Sequence, residues 1–353
     1  MEINIELLSE LCSIEGPSGR EIGISRKVQE ELKKSCDKVL IDAFYNVFGY
    51  INGKSVNPKT VVITAHQDQI GLMVKKVEEN GFLRFTKISG IDPKILPSQQ
   101  IVIHGERDID GIIGSTPPHL AVDEDKKKKP DFDELYIDTG LTTEQVKAII
   151  RVGDTITFKP NACLLASGKM FTSSSLDDRS CVYALIELAA IFKNNRPENN
   201  LVFLSASGEE TFSIGATVGG NLLQPDVAIV LDVTFGRTPG LDVDKTFKCG
   251  EGPVITIAPI LDKRVTGKLL EICNSKNIKF QLEADGKGNG SDAWALQVCQ
   301  KGIPCAQITL PLKYMHTAVE TINLDDLTTT INIVEEFCNL QQNEMEVMLC
   351  WKH

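Results

Sequence analysis

At 353 residues the chain is long enough for about two domains, or for one large domain carrying an insertion. Its 42% hydrophobic and 24% charged residues are those of a globular protein, and its net charge of -11 disfavours nucleic acid or an anionic lipid surface as the main partner. No stretch reaches the run of about 18 to 20 apolar residues that a membrane span needs.

The first residues alternate acidic and apolar side chains, with neither a basic segment nor a continuous apolar run, so the cytoplasm is the expected location. Apolar residues at helical spacing predict helices over 3–12 and 21–32, separated by the turn sequence Gly16-Pro17-Ser18-Gly19. Runs rich in β-branched residues predict strands at 60–66, 201–205, 227–232 and 304–310. Helical patterns at 180–194, 265–274, 292–301 and 324–341 alternate with them. Strands and helices in this alternation imply an α/β domain with a central, mostly parallel sheet flanked by helices.

Residues 71–160 follow a different pattern, with short strands at 82–87, 100–104 and 155–158, frequent glycine and proline, and one helix signal at 143–150. This predicts an inserted small β-barrel or sandwich that splits the α/β pattern in two; a long edge extension of one domain is the alternative. Within it, residues 123–133 (DEDKKKKPDFD) place four lysines among acids and read as a solvated loop.

Ten cysteines are scattered along the chain without a CxxC pair. Cys181, Cys273, Cys299 and Cys338 fall in apolar helical patterns, where a reduced cysteine packs as a small hydrophobe, so no structural disulfide is expected. With only five histidines, sites needing several imidazoles are excluded.

Ionisable residues cluster at or just beyond predicted strand ends, the edge where open α/β sheets bind ligands. His66 and Asp68 close the first strand, Glu209-Glu210 follow the second, Asp232 closes the third, and His316 comes shortly after the fourth. Asp177-Asp178 precede a helix. Each has a plainer reading: a structural histidine, a pair of helix-capping aspartates, or a solvated pair of glutamates. Taken together, two histidines and several carboxylates without cysteine suit a pair of divalent ions such as zinc, cobalt or manganese better than a structural zinc centre. Such a pair lowers the pKa of a water and polarises a carbonyl.

Competing chemistries lack their context. Asn52-Gly53-Lys54-Ser55 ends like a phosphate-binding loop, but Phe48 stands where its first glycine is required. The stretch 286–290, GKGNG, has no preceding strand and reads as a flexible turn. Neither GxSxG nor HExxH occurs.

Several motifs in order resemble the M42 family of dinuclear-metal aminopeptidases, which includes glutamyl and deblocking aminopeptidases and proteins once labelled cellulase M. They are GPSGRE at 16–21, AHQDQIG at 65–71, DGIIGSTPPHL at 110–120, YIDTG at 136–140, LDDR at 176–179, GEE at 208–210, Gly215-Ala216, GSDA at 290–293 and Met315-His316. The resemblance implies a zinc-peptidase-like catalytic domain over 1–67 and 164–353, with a small β-domain over 68–163 serving oligomerisation or substrate access. It implies two divalent metal ions per subunit: one held by His66, Asp177 and Asp232, the other by Asp177, Glu210 and His316, with Asp177 bridging. Glu209 is then the general base, Asp68 the carboxylate that orients His66, and Asp177-Asp178 a cis peptide.

The implied activity is removal of N-terminal residues from short peptides with a free N-terminus, through a hydroxide bridging the metals. The implied assembly is a homo-oligomer, often a hollow tetrahedral dodecamer in this family. The sequence departs from the family pattern at Gln69, Cys181 and Thr211-Phe212, none a proposed ligand, which leaves the substrate preference open. Two alternatives stand beside this reading: a glycoside hydrolase, as the cellulase label suggests, and a catalytically silent peptide- or metal-binding scaffold.

Overall fold

The computed structural model describes residues 2–117, 130–286 and 290–350. The 287–289 part of the glycine-rich turn, the 123–129 part of the lysine-rich segment and residues 118–120 of the DGIIGSTPPHL motif lie outside them.

Two helices, α1 (Ile5–Ser13) and α2 (Ile22–Lys33), lead into the hairpin of β1 (Lys38–Ile41) and β2 (Val47–Ile51) and then β3 (Thr60–His66). Six strands follow or nearly follow: β4 (Gly71–Val77), β5 (Leu83–Ile88), β6 (Gln100–His104), β7 (Asp108–Gly114), β8 (Tyr136–Asp138) and, after helix α3 (Thr143–Ile149), β9 (Thr155–Phe158). They close a barrel in the order β4-β5-β8-β7-β6-β9. The alternation of exposed and buried residues along β7 sends Ile109, Gly111 and Ile113 inward, where they meet Ile101, Ile103, Ile137 and Ile156.

The chain then returns through β10 (Cys163–Leu164), β11 (Met170–Ser173), α4 (Leu176–Asn194), β12 (Asn200–Ala206), α5 (Glu209–Phe212), α6 (Ile214–Leu223) and β13 (Val227–Phe235). Next come β14 (Val254–Ile257), α7 (Lys263–Ser275), β15 (Gln281–Ala284), α8 (Asp292–Gln297), β16 (Cys305–Lys313), β17 (Glu320–Asn323), α9 (Leu324–Cys338) and α10 (Gln342–Leu349). The large sheet runs β1-β2-β12-β3-β13-β16-β17-β11-β10, with β14 joined to β16 and β15 to β14.

Its centre, β12-β3-β13-β16, is parallel, and both faces are covered. Val61, Ile63, Leu201, Phe203 and Ile229 pack on one side with α4 and α9, while Val62, Val202, Leu204 and Val230 pack on the other with Ala216 of α6 and Leu296 of α8. Strict alternation between two apolar layers explains why these strands read as nearly continuous apolar runs.

The fold is the α/β sheet with an inserted closed barrel that the pattern predicts. Differences lie at element ends. β13 continues three residues past Asp232 because Val233 and Thr234 keep their pairing with β16 through Phe235 and Leu312. α8 stops at Gln297 instead of 301, since Gln300 and Gly302 both take positive φ. All ten cysteines are free thiols, and among the described residues no helix is long and apolar enough to cross a membrane.

The barrel is tied to the larger unit at His104. Its Nδ1 lies 2.5 Å from Glu15 Oε2 and 2.9 Å from Asp108 Oδ1, and its Nε2 is 2.9 Å from Thr157 Oγ1. Burial opposes the charged ring, but Glu15 and Asp108 outweigh it and push His104 up, while the hydrogen bond from His104 pulls Glu15 down. A raised histidine contributes stability below its unfolded pKa and loses it as pH rises through the folded value; a lowered glutamate contributes above its unfolded pKa and loses it as pH falls. Glu15 is 42% exposed, so the tie is worth about 1 kcal/mol or less. His104→Asn is expected to lower Tm by about 1–3 °C near pH 6 and by less at pH 9, as read by thermal unfolding across pH.

Candidate active site

The site forms where the parallel strands end. β3 ends in His66, the turn after β12 carries Glu209 and Glu210, β13 carries Asp232, and the segment after β16 carries His316. Asp177 enters from the start of α4, where the Asp177-Asp178 peptide is cis, as the resemblance implies. His66, Asp177, Glu209, Glu210, Asp232 and His316 line one cavity of about 220 Å³. Asp68, the seventh residue expected here, lies fully buried behind it.

Asp177 is the centre of the arrangement. Its Oδ1 is 3.1 Å from His66 Nε2 and its Oδ2 is 3.4 Å from His316 Nε2, so each carboxylate oxygen faces one imidazole. Glu210 Oε1 also faces His316 Nε2 at 3.4 Å and accepts no hydrogen bond among the described residues. Asp177, Glu210 and His316 thus offer three donor atoms within 4.8 Å of one another, and His66, Asp178 and Asp232 offer a second such set.

The outer nitrogen of each ring fixes its orientation. His316 Nδ1 donates to the Gly90 carbonyl at 2.9 Å, an acceptor only, which turns Nε2 toward Asp177 and Glu210. His66 Nδ1 faces the Asp68 carbonyl at 3.2 Å and the Asp68 carboxylate at 3.5 Å. In a neutral ring the inward lone pair would repel these carboxylate oxygens unless a cation lay between them, whereas a proton on Nε2 would satisfy the contact; neutral imidazole with carboxylate is also the donor chemistry of divalent transition metals.

Electrostatics point the same way. Burial works against the charged form of both rings, but the facing carboxylates outweigh it: Asp177 and Asp68 push His66 well above the ordinary imidazole range, and Asp177 and Glu210 push His316 up to about 11. Asp177 is opposed by burial and yet held low by the two imidazoles. Glu209 is pushed up to about 10 by burial, with Asp232, Asp292 and Asp68 adding to the effect against the relief from His66. Asp232 rises to about 7, also chiefly by burial.

The elements around these groups hold them in place. Asp68 Oδ1 accepts the Glu209 N–H at 3.0 Å, and its Oδ2 accepts the Glu210 N–H at 3.1 Å and the Ser18 hydroxyl at 2.6 Å. One buried carboxylate therefore backs His66 and pins the turn bearing both glutamates. Glu320, at the start of β17, accepts the N–H groups of Asp177 at 3.0 Å and His316 at 2.8 Å. The barrel contributes as well: Ser89, just past β5, donates to Glu210 Oε2 at 2.6 Å, and its neighbour Gly90 meets His316.

Ser18, Ser89, Gly90 and Glu320 escape sequence reasoning because each acts over a long separation without a local pattern, although Ser18 lies in the GPSGRE motif. Asp178 was visible as half of a pair, but its approach to His66 and Asp232 was not. The family departures lie off the cavity lining. Gln69 is buried and accepts from Ser175 at 2.8 Å and Arg179 at 3.3 Å, and Phe212 is 84% exposed. The Cys181 thiol lies 3.5 Å from the Asp232 carbonyl.

Comparison with known proteins agrees with this geometry. Residues 46–333 match the family described as M42 glutamyl aminopeptidase. Lysyl aminopeptidase of Pyrococcus furiosus is 32% identical over 339 residues, covering 94% of this chain and 96% of that protein. Among solved structures, the TET aminopeptidase of Thaumarchaeota archaeon SCGC AB-539-E09 superposes with a TM-score of 0.92 at 26% identity, covering 98% of each chain. The TET1 peptidase of Pyrococcus horikoshii, described as able to assemble into a tetrahedron or a large octahedral shell, superposes with a TM-score of 0.84 at 30% identity, covering 95% of this chain and 98% of its own. With its strand-end carboxylates and imidazoles in this arrangement and its match over most of its length, the chain belongs to the M42 aminopeptidase family.

Proposed function

We propose that this aminopeptidase works with two divalent ions and removes the first residue from short peptides with a free N-terminus. The observation that carries the reading is Asp177, whose two oxygens each face the inward nitrogen of a different histidine. His66, Asp177 and Asp232 would hold one ion, with Asp178 close by; Asp177, Glu210 and His316 would hold the other. Zinc, cobalt and manganese all fit an imidazole and carboxylate donor set. When bound, such a pair lowers the pKa of a water and polarises the substrate carbonyl.

Glu209 is the proton carrier. Its Oε2 lies 3.9 Å from His66 Nε2, on the cavity lining, and its backbone is pinned by Asp68. Burial and the neighbouring acids raise its proton affinity, so a cation pair beside it would be needed to free it to take a proton from the attacking water and return it to the departing amine. Asp68 keeps the His66 ring turned and the glutamate turn fixed.

A glycoside hydrolase works with two carboxylates flanking a sugar bond and needs no metal pair, whereas here the central carboxylate is held between two histidines. By the likeness to the TET peptidases we also infer a homo-oligomer, with the tetrahedral dodecamer as its expected form.

Aminoacyl-p-nitroanilide hydrolysis is expected to vanish on complete chelation and to return with zinc, cobalt or manganese. Activity that survives metal removal would overturn the two-metal reading. Glu209→Gln is expected to retain metal by calorimetry while kcat falls by about 100-fold or more; loss of metal in this variant but not in Glu210→Gln would exchange the two assigned roles. A Cβ at residue 90 would stand 2.8 Å from His316 Nδ1, so Gly90→Ala is expected to weaken metal binding by about tenfold or more, measured by competition with a chelator.

A further inference from the structure

The cavity has a wall that the chemistry above does not use. β15 pairs in parallel with β14, Thr256 opposite Glu283, and brings Glu283 onto the lining together with Val233, Phe235 and Met315. Glu283 differs from the other carboxylates there. Its Oε2 accepts the Thr256 hydroxyl at 3.0 Å, and no ion pair joins it to a histidine, lysine or arginine among the described residues. Burial raises its proton affinity, Thr256 works against this, and Asp285 adds to it. A half-buried carboxylate without an ion pair is a place where a cationic group gains a partner.

The rest of the wall indicates where that cation comes from. Val233, Phe235 and Met315 line the same cavity as the metal-binding groups and Glu283. Apolar side chains together with a carboxylate that has no ion-pair partner complement a side chain with a methylene stem and a charged head. The substrate's α-ammonium cannot play this part, because it lies two bonds from the carbonyl under attack and must stay among the groups around Glu209. The head group of a basic first residue lies several bonds farther out.

We propose that Glu283 is a specificity-determining residue that selects peptides beginning with lysine or arginine. This rests on the metallopeptidase reading above. An acidic first residue would meet like charge in this pocket, and a neutral one would leave Glu283 with Thr256 alone and no cation, so the selection comes from both attraction and penalty.

The test is steady-state kinetics of the metal-loaded enzyme on Lys-, Arg-, Leu- and Glu-p-nitroanilides, for the wild type, Glu283→Gln and Glu283→Asp. The wild type is expected to show kcat/KM for Lys and Arg about tenfold or more above that for Leu, with Glu lowest. Glu283→Gln keeps the size of the side chain and an acceptor for Thr256, and is expected to cut the Lys-to-Leu ratio by about tenfold or more, mainly through KM. Glu283→Asp retains the charge but withdraws it by one methylene, and is expected to shift the preference from Lys toward the longer Arg. An unchanged Lys-to-Leu ratio in Glu283→Gln overturns the inference, as does a wild type that prefers Leu or Glu. Equal losses on all four substrates also overturn it, since Glu283 would then hold the α-ammonium. If no substrate is cleaved with any of the three metals, it is the metallopeptidase reading that fails.

Discussion

The carboxylate of Asp177, buried between two imidazoles, is the constraint around which the rest of the molecule is arranged. A charged group so placed is tolerable only if each oxygen has a partner and each partner is turned correctly. The turning is done from outside the cavity. Asp68 stands behind His66, the Gly90 carbonyl stands behind His316, and Glu320 ties the backbones of Asp177 and His316 together. The two rings therefore present the same nitrogen inward although they come from opposite ends of the chain.

The sheet makes this convergence inexpensive. Parallel strands β12, β3, β13 and β16 lie side by side and end at the same edge, so loops far apart in sequence open into one space. Their two apolar faces make the register unambiguous, since a slip by one residue would exchange the layer under α4 for the layer under α6. A rigid sheet in turn permits a polar centre that would be too costly on mobile loops.

Much of this was legible in the residues. Short runs rich in apolar and β-branched residues located the central strands because both faces are buried, and an acid or histidine closing such a run marked the reactive edge. Short strands such as β10, two exposed residues at the sheet edge, and β17, four buried residues between β16 and β11, left little trace, because so few residues carry no periodicity. The supporting groups were hidden for another reason. Ser18 reaches Asp68 across 50 positions and Ser89 reaches Glu210 across 121, and a serine bears no mark of its eventual partner. Glu283 was equally silent: in sequence it is one acid in a short polar strand, and only the packing of β15 beside β14 brings it to the cavity.

The contact of Ser89 and Gly90 with Glu210 and His316 has a consequence for how the barrel can vary. An insertion is usually regarded as a module, free to be traded among relatives as long as its ends meet the host. Here the loop after β5 supplies a hydroxyl to Glu210 and a carbonyl to His316, so part of the inner architecture of the host is encoded in the guest. The two units must therefore diverge together. A barrel from a distant relative would be a compatible replacement only if its own loop carried a donor and an unhindered backbone carbonyl to the same two points.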